Sequence, residues 1–373
     1  MKTKFLLILF YLTIVSATSD CFKAERPPFS VKSTQGLAVS AIKLLMSAST
    51  IAAPTINYMN SPFTFTKNVP IQAISPAVTG SITSCSISPS LPAGLSINST
   101  DCVLSGTPTA LQSNTTYTVT ASGKDGSASA TISISVNPKV VPASLSAGLY
   151  AWYPLDGNTD DLSGNANHGY SPGGIWPATS GPVYISGRKG VANDAASFNG
   201  TDQFFASNFA PRCEQDFTIA MWVYPVSVAN NGILGTQVSP GSDPGAAIKI
   251  DAAGKVQFIA YWIASGFNTD GISGSSTNAL SPNTWTHIAY VHDGVSRQGN
   301  IWVNGVSGGT TANFGAFAGC TTGTGSNMWH MGTPMNIGYS YNQTYYNGSM
   351  DDIWFFQNRK LTAGEIATLM GLP

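Results

Sequence analysis

The run Asp216-Phe217-Thr218-Ile219-Ala220-Met221-Trp222-Val223 decides the fold class. Phe217, Ile219, Met221 and Val223 share one face at a period of two, the spacing of a strand. Downstream, Ile288 and Tyr290 alternate with Ala289 and Val291 over Trp285 to His292. Ile301-Trp302-Val303 then runs into Asn304-Gly305 and Val306, and Asn-Gly accepts the positive φ angles of a two-residue hairpin. Upstream, Ile132, Ile134 and Val136 alternate with Thr131, Ser133 and Ser135, and Tyr117 and Val119 alternate with threonines. Such strands bury one face and leave the other to water. Pro and Gly turns separate them at short intervals, as in a sandwich. One firm helix is expected, Ala363 to Met370, where Thr362 and Glu365 form a capping box and Gly371 is the stop.

Composition agrees with an all-β chain. Charged residues are 9% of the 373, against about 25% in an ordinary globular protein. Disorder would come with few aromatics, yet the chain has 8 Trp, 14 Tyr and 17 Phe. The reading is folded β-structure with neutral polar faces. A net charge of -1 offers no basic field for phosphates, so nucleic acid is not an expected partner.

The first residues read as a targeting segment, 1–17. Lys2 and Lys4 precede the apolar run Phe5 to Val15, and Val15-Ser16-Ala17 offers small residues for cleavage. A secreted or bacterial cell-surface protein is expected. Residues 18–52 read as a tether broken by Pro27-Pro28, with a short helix over Leu37 to Met46. Cys21 stands where a lipoprotein cysteine would, although Asp20 before it is a poor match to the small residue that such cleavage prefers. Acylation of Cys21, with outer-membrane anchoring through a lipid, and an unpaired thiol both stay open. Cys85 and Cys102 fall in one β-rich region and Cys213 and Cys320 in another, and these are the expected disulfides.

In the first β-rich region, 53–138, two phrases go beyond alternation. They are Leu91-Pro92-Ala93-Gly94-Leu95 and Leu104-Ser105-Gly106-Thr107-Pro108. With the terminal strand they resemble the Ig-like domains repeated in bacterial surface proteins, which implies a spacer or adhesive role. A linker follows, 139–147. From 148 to 373 another set of phrases occurs in order. It opens with Trp152-Tyr153-Pro154-Leu155-Asp156-Gly157, Asp161-Leu162-Ser163-Gly164-Asn165-Ala166-Asn167-His168-Gly169 and Ala196-Ser197-Phe198-Asn199-Gly200. It continues with the 216–223 run, Trp285-Thr286-His287-Ile288-Ala289, Ile301-Trp302-Val303-Asn304-Gly305, Gly348-Ser349-Met350-Asp351-Asp352-Ile353 and Leu361-Thr362-Ala363-Gly364-Glu365-Ile366. This set resembles a laminin-G-like domain of the concanavalin A-like lectin/glucanase superfamily and is similar to pentraxins. The implied architecture is an Ig-like β-sandwich followed by a jelly-roll sandwich. Members of that family bind glycans or proteins, often with structural calcium.

Calcium needs six to eight hard oxygens. Asp161, Asn165 and Asn167 share one Gly-containing loop, and the last strand, expected beside the first, opens with Asp351-Asp352. The expected structural calcium site uses Asp161, Asn165 and one of the aspartate pair, with Asp352 preferred, since adjacent strand residues face opposite ways. The alternative is that Asp161 and Asn165 only build Asx-type turns. For a glycan, the loop aromatics are Trp176, Tyr261, Trp262, Trp329, Tyr345 and Tyr346. A ring stacks on a sugar's C–H face while amides bond its hydroxyls, and the site is placed near Trp262, Trp329 and Tyr345. Trp152, Trp222 and Trp285 are assigned to strands and the core.

Glycoside hydrolysis normally needs two carboxyls flanking the bond. This region has only Glu214 and Glu365, and Glu365 is a helix cap. Asp351 and Asp352 should point apart. His168, His287, His292 and His330 make no helical zinc motif, and no C-x-x-C occurs. The reading is therefore a binding protein and not an enzyme, with a glycoside hydrolase ranked last. Its partner would be a glycan or extracellular glycoprotein, with the Ig-like domain as spacer. The alternative is a protein-binding adhesin or structural surface protein without a sugar site.

Overall fold

A computed structural model describes residues 53–171, 180–210, 212, 214–229, 231–236, 245–264, 267–269, 273–313, 335–340 and 344–372. The targeting segment, the tether with its expected helix, Cys21, Cys213, Cys320, Trp176 and Trp329 lie outside these residues.

Residues 55–137 hold the first set of strands. Phe63–Thr66, Gly126–Asn137, Gln112–Gly123 and Ser84–Ser88 form one sheet in that order. Thr55–Asn57 pairs with Ala77–Thr79, and Leu95–Ile97 pairs with Leu104–Gly106. Alternation does what the sequence implied: Tyr117, Val119, Ile132, Ile134 and Val136 are buried in one core. The Cys85–Cys102 disulfide ties the four-stranded sheet to the turn beyond Leu95–Ile97.

The opposite face of this sheet is a lattice of hydroxyls. Register aligns Ser84, Ser122 and Ser127, then Ser86, Thr120 and Ser129, then Ser88, Thr118 and Thr131, in three rows across three strands. Thr116 opposite Ser133 and Thr64 opposite Ser135 continue it. Cross-strand hydroxyls bond one another in several rows: Ser122 with Ser127 at 2.9 Å, Thr120 with Ser129 at 3.2 Å, and Ser135 with Thr64 at 3.2 Å.

The two phrases that resemble Ig-like domains form one hairpin, Leu95 opposite Gly106. Gly94 has φ +87° and Gly106 φ +121°. A Cβ on Gly94 would lie 1.9 Å from the Thr107 carbonyl oxygen, and one on Gly106 would lie 2.2 Å from the Gly94 oxygen. The Thr107 N–H donates to that same Gly94 oxygen at 2.9 Å. Both glycines are thus required by close backbone approach as well as by φ.

From Leu149 the chain builds two sheets. One orders Val183–Ile185, Ala195–Asn199, Asn347–Gln357, Phe217–Pro225, Thr286–Asp293, Gln298–Val303 and Val306–Asn313. The other orders Ser273–Ala279, Lys255–Ala264, Gly245–Ile250, Asn231–Thr236, Met335–Ile337 and Phe205–Ser207. They join edge to edge where Ser275 lies opposite Thr310. Leu149–Tyr153 pairs with Asn347–Gln357, so the first and last of these strands are neighbours. Phe217, Ile219, Met221, Val223, Ile288 and Tyr290 enter the core between the sheets, where Phe258 stacks on Tyr290 with ring centroids 3.8 Å apart. The Asn304-Gly305 hairpin forms as expected, whereas Trp285 precedes its strand and is only partly buried.

The first sheet is also covered on its outer face. Register sets Trp152, Trp354, Ala220, Ala289 and Trp302 in one row. The alanines leave a hollow between tryptophans, and Ile366 and Leu369 of the C-terminal helix, Ala363–Gly371, pack into the same cluster. The capping box of Thr362 and Glu365 is present. Gly371 is the last helical residue and not a left-handed stop: Leu372 ends the helix in an extended conformation, its N–H donating to the Leu369 carbonyl. A second, short helix, Ala143–Ser146, lies in the segment read as linker and buries Leu145 against this cluster.

Gly94→Ala should destabilise the first sandwich by at least about 2 kcal/mol, from the positive φ and the backbone clash together. Gly181→Ala, which meets no described residue within 4 Å, should leave the urea midpoint unchanged. Equal midpoints for the two variants would rule out the contact between the hairpin glycines.

Candidate functional site

The expected calcium residues are all described, and each already has protein partners. Asp161 is buried. Its Oδ1 accepts from the Trp152 and Ser163 N–H groups at 2.9 and 2.8 Å, and its Oδ2 accepts from Ser163 Oγ and the Asn167 N–H at 2.7 and 2.9 Å. Asn165 turns its amide N–H to the carbonyls of Leu149 and Tyr150, and Asn167 does the same to Tyr150. These residues pin the 161–167 loop to the strand Leu149–Tyr153. Asp352 accepts from Trp152 Nε1 at 3.0 Å and from Arg188 Nη2 at 2.6 Å. Asp161 and Asp352 thus approach opposite ends of Trp152, its backbone N–H and its indole. Carboxylates filled by N–H donors and a guanidinium do not fit a divalent cation held by Asp161, Asn165 and Asp352.

The expectation that Asp351 and Asp352 point apart fails because the strand bulges. Two residues separate Asp351 from Trp354, while their partners Trp222 and Ala220 are separated by one. Asp352 takes the extra position with φ +48°. A bulge breaks the alternation of faces and re-aims a side chain. Both carboxylates meet Arg188, with Nε 3.3 Å from Asp351 Oδ2. Arg188 also lies 5.0 Å over the Trp222 ring and donates to the Leu372 carbonyl at 2.9 Å. Beside it Trp222 Nε1, His287 Nδ1 and both Asp351 oxygens are buried without a hydrogen bond to a described residue. Burial, with the Arg188 charge adding to it, pulls the His287 imidazole down to about 3, so it stays neutral at ordinary pH.

A second buried cation comes from the segment read as linker. Lys139 Nζ lies 3.0 Å from Asp156 and 3.2 Å from Asp194, with its side chain 4% exposed. One ammonium cannot neutralise two carboxylates. Burial first, and then the hydrogen bond with Asp156, push the Asp194 carboxyl up to about 7 against the pull of Lys139. Burial pushes Asp351 and Asp352 upward too. No feature of the linker marked Lys139 for burial, and Arg188 carried no motif.

The aromatic residues expected at a sugar site are not assembled by what is described. Trp262 has its backbone in the strand Lys255–Ala264, opposite Thr269. Tyr345 is half-buried, its ring edge-on to Tyr339 at 4.9 Å and 6.4 Å from Phe204. Tyr346, read as a loop aromatic, is fully buried against Phe198 and belongs to the core.

A different concavity lies where the two sheets join. The segment 276–281 and the hairpin 301–308 enclose a groove of about 370 Å³. Thr277, Asn278, Ser281 and Asn304 line it above Leu280 and Ile301. Asn304 Oδ1 holds the His287 N–H at 3.0 Å, which fixes the hairpin against the next strand and leaves the amide N–H group outward. Thr277, Asn278 and Ser281 are exposed. None of the described residues lining the groove is charged. Sequence reasoning missed this site because it searched for aromatics. The usable signal was the run Ser273-Gly274-Ser275-Ser276-Thr277-Asn278, a strand with small polar residues on both faces.

The buried charges set a pH dependence. Asp194 keeps its proton to near pH 7 in the folded chain but loses it near pH 4 when unfolded, so the folded state binds more protons between those values. The Asp194 contribution to stability should be greatest at the acid end of this window and fall as pH rises through it, whereas neutral, buried His287 acts in the opposite sense below about pH 6.5. Thermal melts from pH 6.5 to 8 should show Tm falling, and Asp194→Asn should flatten the slope. A Tm that rises with pH, or an unchanged slope in the variant, would contradict this. Lys139→Met leaves buried carboxylates unpaired and should cost about 3–5 kcal/mol.

Comparison with known proteins follows the same division of the chain. Residues 46–137 match the family described as "Putative Ig domain", and residues 198–367 match the Concanavalin A-like lectin/glucanases superfamily. No curated protein sequence matches the chain. Among solved structures, domain 4 of AbnA, a GH43 extracellular arabinanase from Geobacillus stearothermophilus in complex with arabinotriose, is 16% identical, with a TM-score of 0.38 over 59% of this chain and 97% of that one. A heptameric SAP-like pentraxin from Limulus polyphemus is 16% identical, with a TM-score of 0.31 over 46% and 79%. The CBM40 of Ruminococcus gnavus IT-sialidase, bound to α2,3-sialyllactose, is 14% identical, with a TM-score of 0.34 over 48% and 96%. The chain thus carries an Ig-type domain followed by a domain of the concanavalin A-like lectin/glucanase superfamily.

Proposed function

We propose that this is an exported cell-surface protein whose concanavalin A-like domain binds an uncharged carbohydrate, free or on a glycoprotein. The Ig-type domain acts as its spacer. The observation that carries this reading is the groove of Thr277, Asn278, Ser281 and Asn304. The hydroxyls of Thr277 and Ser281 and the amide of Asn278 form no hydrogen bond with a described residue, and an apolar floor lies beneath them. A sugar ring divides its own surface in the same way, into hydroxyls and a C–H face. An uncharged lining favours a neutral ligand, because a charged one would lose hydration without a counter-charge. Binding in place of hydrolysis is supported by the same lining, since no carboxyl pair flanks the groove among the described residues. Lys2, Lys4 and the apolar run to Val15 support export.

The test is a glycan array probed with the full exported chain and with an Asn278→Ala, Ser281→Ala double variant. The expected result is binding to a related set of neutral glycans, weakened roughly tenfold or more in the variant at about 1 kcal/mol per lost hydrogen bond. Melting should be unchanged, because neither side chain hydrogen-bonds another described residue. A blank array, or glycan binding indifferent to the double variant, would defeat the reading.

A further inference from the structure

The Ig-type domain carries a surface that a spacer does not need. On the outward side of its four-stranded sheet, every position along Ser84–Ser88, Thr116–Ser122 and Ser127–Ser135 is Ser or Thr. Strands about 4.8 Å apart and outward residues about 6.7 Å apart along each strand place these hydroxyls on a regular two-dimensional grid. Solvent faces usually mix Lys and Glu among their polar residues, and here there are none. We propose that this hydroxyl grid is a second carbohydrate-binding surface, for an extended, uncharged polysaccharide.

Chemistry and size select that occupant. Each hydroxyl offers one donor and two acceptor lone pairs. A row such as Thr120–Ser129 uses one donor internally at 3.2 Å, so outward donors and acceptors remain in alternation. Sugar hydroxyls have the same dual character, and the threonine methyls give the C–H faces something apolar to rest on. A charged polymer would lose hydration against this face with no counter-charge in return. A protein partner is disfavoured by area. Spans of four, five, seven and nine residues on the four strands give a patch of roughly 400 Å², about half of the ~800 Å² per partner in a stable interface. The patch also lacks the Trp, Tyr and Arg anchors that dominate protein binding. Contacts of this kind are individually weak, and a repeating polymer makes up for that by occupying many at once.

The experiment is retention of the full chain on insoluble neutral polysaccharides, namely cellulose, chitin and curdlan, measured by depletion from solution. Two double variants place like charges on the grid, Thr118→Lys with Ser129→Lys and Thr118→Glu with Ser129→Glu. A third, Thr118→Val with Thr131→Val, removes hydroxyls but keeps the β-branched shape and so guards against misfolding. The expected result is retention of the parent chain on at least one polymer and a tenfold or greater loss in all three variants, with the melting curve unchanged. Retention equal to the parent in the Lys, Glu and Val variants, or no retention of the parent on any polymer, would overturn the proposal. The Asn278→Ala, Ser281→Ala chain separates the two sites. Its loss of soluble glycans with retention on the insoluble polymer would assign that retention to the grid. Retention abolished by the groove variant but not by the grid variants would overturn it.

Discussion

The jelly roll depends on burying both faces of one strand, Asn347–Gln357. It pairs with three neighbours, Leu149–Tyr153, Ala195–Asn199 and Phe217–Pro225, and nine of its eleven residues are buried. Met350, Ile353 and Phe355 enter the core between the sheets, while Trp354 and Phe356 need cover from outside. That cover comes from the two ends of the domain, the C-terminal helix and the segment that leads in from the Ig-type domain. The ends of the domain are therefore structural parts of the sheet and not appendages to it.

The bulge at Asp352 gives this strand its charge problem. It turns two adjacent carboxylates to the same side, in a place with almost no solvent. Arg188 answers them, and its always-charged fork can serve both while also holding the Leu372 carbonyl. Lys139 answers Asp156 and Asp194 nearby. A sequence that is only 9% charged has thus placed several of its charges inside the protein, where they lock the linker and the C-terminus to the sheet. The groove lining and the outward rows of the Ig-type sheet are left to uncharged residues, mostly Ser, Thr and Asn. This distribution gives both candidate binding surfaces, the groove and the hydroxyl grid, their neutral character.

The phrase Asp161-Leu162-Ser163-Gly164-Asn165, read from sequence as part of a calcium site, is organised in the structure by hydrogen bonds to the protein itself. Asp161 gathers four N–H and O–H donors and folds its loop onto the first strand. The same residues in the same order can organise a loop around a cation or around the backbone. Only the donors that surround them distinguish the two, and fold alone does not decide function.

Period-two alternation by itself determined the all-β class and the inward residues of the Ig sheet and of Phe217–Val223. The reason is that alternation is a local property, and each residue's face follows from its neighbours along the chain. The capping box and the Asn304-Gly305 turn were legible for the same reason. What only the tertiary structure decided were the pairings between distant segments. It set Asp351 and Asp352 against Arg188, buried Lys139, sank Tyr346 into the core, and brought 276–281 beside 301–308 to make a groove. Each depends on which strands lie side by side and where one of them bulges. That is settled by packing across the whole sheet, and no window of sequence contains it.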